Sequence, residues 1–155
     1  PALREQLARA LDWSDAHGDL ASAVADLDPT LRGVRPAGLP HSAWELLEHL
    51  RLALHDILDF CRNPDYVQPD WPADYWPRSA APSADEWDAA VAACRTDIAA
   101  LQALATDPSV DLLATIPHGD GQTVLRELLL VVDHNAYHLG QLVLVRRALG
   151  AWPPA

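Results

Sequence analysis

The sequence contains no lysine; all 11 of its basic residues are arginine. Covalent catalysis through a lysine amine is therefore excluded. Basic charge is scarce altogether, with 11 arginines against 22 aspartates and glutamates and a formal net charge of −11. Such an acidic surface repels phosphate, so a general nucleic-acid binder is not expected. Cysteine is scarce as well. Cys61 and Cys94 form no CxxC pair, and both fall on apolar helix faces. They read as buried free thiols of a cytoplasmic protein. No apolar run approaches the ~20 residues of a bilayer span. The opening Pro-Ala-Leu-Arg-Glu lacks the basic-then-apolar pattern of a leader. No stretch alternates apolar and polar residues for long enough to suggest a strand.

What is present is apolar and helical. Half of the 155 residues are hydrophobic, which excludes a disordered chain. The length suits a single domain, residues 1–155, with enough buried surface to fold without disulfides. The 13 prolines leave four long proline-free windows, 2–28, 41–63, 83–107 and 118–152. Proline costs about 3 kcal/mol inside a helix, so these windows are where helices can run. Window two opens with Ser42 and Glu45 and window three with Ser83 and Glu86, the spacing of a capping box. Apolar stripes follow at helical spacing: Leu46, Leu50, Leu54 and Ile57, then Trp87, Val91, Cys94, Ile98 and Leu101. Window four predicts a helix from about Gln122 to Leu149, stopped by Gly150. Window one is looser, with Gly18 inside it.

Four amphipathic helices of this length bury their stripes most economically in an all-α four-helix bundle. A long crossover joins helices two and three. Residues 63–77 of it carry Tyr66, Trp71, Tyr75 and Trp76, and so should pack on the bundle. This segment is either a plain strap or one wall of a pocket.

Histidine is more abundant than such a fold requires, with seven residues. His134 and His138 are four apart on the last helix, about 40° apart in projection and one turn above each other. Two imidazoles so placed can reach one metal ion. Both lie on an edge of the buried face, about 100–140° from Leu139, and Glu127 falls on the same edge. On helix two, His49 occupies the matching edge, about 100° from Leu50. Glu45 and Asp56 lie near it and are candidates to orient its ring. His55 is expected in solvent, His41 at the helix cap and His118 in a turn. His17 is expected near the first stripe, as a core residue or a pocket wall. Trp71, Tyr75, Trp76 and Tyr137 are further pocket candidates. Three neutral imidazoles suit a transition metal better than Mg²⁺ or Ca²⁺, and leave a position open for chemistry. No HExxH or ExxH pattern occurs, which removes the common zinc-protease and di-iron carboxylate arrangements.

The segments Ser42-Ala43-Trp44-Glu45-Leu46-Leu47-Glu48-His49-Leu50 and Asp133-His134-Asn135-Ala136-Tyr137-His138-Leu139-Gly140-Gln141-Leu142 together resemble the DinB-like (DinB/YfiT) family of metalloenzymes. The histidine pair with Gly140 and Gln141 is similar to that family's H-x-x-x-H-x-G-Q signature. The resemblance spans essentially the whole chain. It implies a four-helix bundle and a homodimer, with His49, His134 and His138 as ligands of one divalent transition metal, Zn or Ni. It also implies a thiol-dependent S-transferase acting on a small electrophile, with a low-molecular-weight thiol as cosubstrate. The alternatives are a hydrolase using metal-bound water, or a non-catalytic metal- or small-molecule-binding protein of the stress response. No nucleic-acid or membrane partner is implied.

Overall fold

The computed structural model describes residues 2–12 and 16–154. The fold is all-α, with α1 (Ala2–Ala10), α2 (Leu20–Val24), α3 (Ala43–Arg62), α4 (Ala84–Thr106) and α5 (Val124–Ala148). Among the described residues the only β pairing is an isolated bridge between Thr115 and Thr123. The three later windows each yield one long helix. Window one yields two shorter ones, where a single helix was expected. The shorter of the two starts just after Gly18, where Asp19 becomes an N-cap and its carboxylate accepts from the Ser22 amide at 2.8 Å. An N-cap side chain supplies a partner for one of the otherwise unpaired first-turn amides, so a new helix starts there.

Both capping boxes form reciprocally. Ser42 Oγ accepts from the Glu45 amide at 3.2 Å, and the Glu45 carboxylate accepts from the Ser42 amide at 2.8 Å. Ser83 and Glu86 repeat the arrangement at 3.2 and 2.7 Å. Thr123 caps α5.

Helix α3 is the centre of the bundle and packs along both α4 and α5. Helix α1 lies against α4, and α2 against α5. Leu46, Leu47, Leu50 and Leu54 of α3 are fully buried, facing a core that includes Cys94 and Leu101 of α4 and Leu128, Val131 and Leu142 of α5. Each such leucine contributes roughly 1.5–3 kcal/mol. Helix α5 is long and apolar enough to cross a membrane by length and composition alone, at mean hydropathy 1.3. That exceeds the expectation that no segment approaches such a span. Its packed face is that of a bundle helix.

Two arginines tie the short helices down. Arg4 of α1 donates to the carbonyls of Ala105 and Asp107 at the end of α4, at 3.0 and 2.8 Å. Arg146 of α5 is completely buried. Its guanidinium donates to the Ala23 and Ser22 carbonyls of α2 at 2.8 and 3.3 Å and to Ala151 at 3.0 Å. A cation at a helix C-terminus also meets the negative end of the helix dipole.

The crossover between α3 and α4 folds back onto α3. The Tyr66 and Tyr75 hydroxyls both donate to Asp56, each at 2.6 Å. Burial and the Asp56 carboxylate hold both phenols above their ordinary range, so they stay protonated donors. A short 3₁₀ turn, Ala73–Tyr75, brings Tyr75 into the core, while Trp71 stays 68 % exposed.

Candidate metal centre

The crossover delivers one side of a site whose other sides are α3 and α5. His49 of α3 is buried, and His134 and His138 of α5 are half-buried. One potential ligand atom from each lies within 4.8 Å of the others. His49 Nε2 and His134 Nε2 are 3.1 Å apart. The rings of His49 and His138 meet edge-on at 4.5 Å, as centroids, and those of His134 and His138 are also 4.5 Å apart. The three edge positions read from the helical wheel thus converge because α3 and α5 pack with their histidine edges facing.

The other ring nitrogens decide what the cluster can bind. His49 Nδ1 is 2.8 Å from the Tyr75 carbonyl oxygen. A carbonyl only accepts, so His49 carries its proton on Nδ1 and directs the Nε2 lone pair at His134. His138 Nδ1 is 2.7 Å from Gln141 Oε1, which leaves its Nε2 free in the same way. Such outer contacts set the tautomer and orientation of a metal-binding imidazole. Burial pushes the pKa of His49 and of His138 down. It pushes His134 down to about 4, helped by the adjacent His138 and His49. All three rings are neutral at pH 7, as ligation requires.

The donor set therefore fits a transition metal. Two nitrogens bound to one tetrahedral ion at 2.0–2.1 Å lie roughly 3.3–3.4 Å apart, close to the separation of the His49 and His134 nitrogens. Three imidazoles and no carboxylate favour Zn, Ni, Cu or Fe over Mg or Ca.

The surroundings differ from the sequence expectations in several places. Glu45 does not reach His49, because its carboxylate is held by the Ser42 amide and by Arg35. Asp56 also makes no direct bond to His49. It anchors Tyr75, and the Tyr75 backbone carbonyl orients the ring. Glu127 is buried beside Arg126, to which it is bonded at 2.8 Å. His17 is exposed, with Nδ1 against the Gly18 carbonyl, and is not a core residue. His41 does not cap α3; its ring stacks on Trp76 at 4.3 Å. Trp76 also stacks on His49 at 4.2 Å, nearly parallel, so one indole lies between two imidazoles. Tyr137 is 64 % exposed, its ring edge-on to His138 at 4.9 Å. Trp71 reaches no histidine and pairs with the Tyr75 ring at 5.2 Å. His55 faces solvent, 3.5 Å from Asp97 of α4. His118 sits in its turn with Nε2 2.8 Å from the Phe60 carbonyl oxygen, so that nitrogen carries the proton and donates.

Sequence reasoning missed the Tyr75 carbonyl and the Gln141 amide. The first has no side-chain signature. The other had one, since residues three apart on a helix face each other. Cys61 and Cys94 are unpaired, and burial raises both thiols to about 12, so neither is a nucleophile at neutral pH.

Comparison with known proteins places these residues in a family. No curated protein and no solved structure matches the chain. The family model of the DinB superfamily matches residues 12–142, a span that includes the crossover and all three histidines. The chain belongs to the DinB superfamily.

Proposed function

We propose that the chain is a metal-dependent enzyme that joins a low-molecular-weight thiol to a small electrophile. The reading rests on one observation, the convergence of three neutral imidazoles whose ring nitrogens lie within 4.8 Å. Membership of the DinB superfamily supports it. A divalent transition metal, Zn or Ni, held by His49, His134 and His138 would supply a Lewis acid that lowers the pKa of a thiol. The thiol would then lose its proton to solvent water, and the sulfur lone pair would form a bond to the electrophilic carbon. The displaced electron pair leaves with the leaving group, or passes to a conjugated acceptor that takes up a proton.

The chain's own groups have assigned parts in this reading. His134 and His138 are half-buried. Trp76 shields the face of His49. Tyr75 and Gln141 hold the tautomers of His49 and His138. We further propose a homodimer formed through the outer face of α5, where Leu129, Tyr137 and Leu144 are exposed and nothing lies within 4 Å of a Cβ at Gly140. The free thiols of Cys61 and Cys94 suit a cytoplasmic location.

The test combines elemental analysis with turnover. The purified chain should carry a transition metal and consume thiol and electrophile in equal amounts, and His49→Ala should lose both properties. Turnover without any thiol would replace this reading with a hydrolase. Metal binding with no turnover across a panel of thiols and electrophiles would leave a binding protein.

A further inference from the structure

The interior of the bundle holds a further feature that the histidine cluster does not use. A cavity of about 160 Å³ lies between α3, α4, α5 and residues 10–12 and 16–20. Its walls include Leu50 and Leu54 of α3, Ile98 of α4, and Val132 and Leu139 of α5. None of the three clustered histidines lines it. On α5 its lining residues centre roughly 130° around the helix from His134 and His138, so the two sites occupy different faces. A cavity of roughly 150 Å³ with leucine and isoleucine walls stays dry and holds a benzene ring.

One polar group breaks the apolar lining. Asn135 is only 7 % exposed and lines the cavity; its Oδ1 makes no hydrogen bond of ordinary geometry, although the amide interacts with the neighbouring His134 and holds that ring's pKa up slightly against burial. It is the sole such buried side-chain atom among the described residues. Leaving a buried acceptor unpaired costs about 1–3 kcal/mol, so native interiors rarely keep one without a use. Asp12, His17 and Asp19 also line the cavity and add polar groups at one side.

We propose that this cavity is a ligand site, separate from the histidine cluster, for a small neutral molecule. The ligand would carry one aromatic ring or a short branched chain, plus a single hydroxyl or N–H. The apolar part fills the leucine-lined space, and the donor meets Asn135 Oδ1. A few convergent polar groups in an apolar pocket is the usual design of small-molecule sites. Occupancy of this cavity requires no metal at the histidines.

The experiment uses the full chain with phenol and toluene as probes, which match in size and differ in the donor. Methyl chemical shifts report both affinity and location. Both probes should bind saturably at millimolar concentration or below, with shifts at Leu50, Leu54, Ile98 and Leu139. Asn135→Leu should keep toluene binding and lower the phenol-to-toluene affinity ratio about tenfold, the value of one hydrogen bond. This variant should fold, because replacing a buried amide with an unpaired oxygen by an isosteric apolar side chain is neutral or stabilising. His49→Ala should bind both probes as the parent does. The proposal is overturned if neither probe saturates, if the shifts map elsewhere, or if the ratio is the same in Asn135→Leu. It is equally overturned if His49→Ala, still folded, loses both probes.

Discussion

Replacing Asp56 by alanine removes the one acceptor that holds the crossover to α3 at two points. The Tyr66 and Tyr75 hydroxyls each donate to it at 2.6 Å. A hydrogen bond to a charged group is worth about 1.5–3 kcal/mol net, so two give roughly 3–6 kcal/mol. Asp56 and Tyr66 are half-exposed, and water replaces part of what is lost. The expected destabilisation is therefore about 2–4 kcal/mol, read from urea denaturation midpoints at constant slope. There is also a chemical consequence. Tyr75 supplies the carbonyl that orients His49. Loss of such an outer contact typically weakens metal binding 10–100-fold, so Asp56→Ala should bind Zn²⁺ at least about tenfold more weakly in competition with a chelator dye. Two controls separate the effects. Tyr66→Phe removes one anchor away from the site; it should cost about half the stability and leave metal affinity unchanged. Tyr75→Phe should cost similar stability and also weaken the metal. Equal metal affinity in all three variants and the parent would refute the chain of contacts from Asp56 through Tyr75 to His49.

Other outcomes follow from the same contacts. Arg146→Ala should lose about 3 kcal/mol, since three carbonyls of α2 and the C-terminal segment lose a charged donor, while metal content stays at the parent level; thermal denaturation and elemental analysis check this together. Gln141→Ala frees His138 Nδ1 and should weaken Zn²⁺ about tenfold without a comparable loss of stability. Acid should destabilise the chelator-stripped protein through His134, whose pKa is about 4 folded against 6.5 unfolded. The unfolded chain binds more protons between those values, so this contribution is fully present above 6.5 and is lost as the pH falls toward 4. Denaturation midpoints at pH 7, 6 and 5 should decline, and the decline should shrink in His134→Gln; the same slope in both proteins contradicts the assignment.

The long helices were legible because their start signals are local. Ser42 with Glu45 and Ser83 with Glu86 each need only four residues to form a capping box, and both form. The break between α1 and α2 had a local signal too, Asp19 three residues before Ser22, but the leucine spacing across window one masked it. The histidine edge was legible because helix geometry alone sets the angles of His49, His134 and His138. What the sequence could not show is where the carboxylates would go. Glu45 was already committed by the capping box that located α3, so its role beside His49 was excluded by the same motif. Asp56 turned to two tyrosines ten and nineteen residues later, a choice made by the path of the crossover. The Tyr75 carbonyl is a backbone group, and only that path brings it to His49. His17 and Asn135 became neighbours of one cavity through the packing of separate helices, which periodicity within one helix does not describe.

The central claim is that His49, His134 and His138 together hold one transition metal. The most direct measurement is the metal content of the purified chain beside that of His49→Ala, both verified as folded by circular dichroism. About one Zn or Ni per parent chain, with the variant depleted by tenfold or more, is the predicted result. Equal and near-zero transition metal in both proteins, unchanged after incubation with Zn²⁺ or Ni²⁺ and desalting, would contradict it.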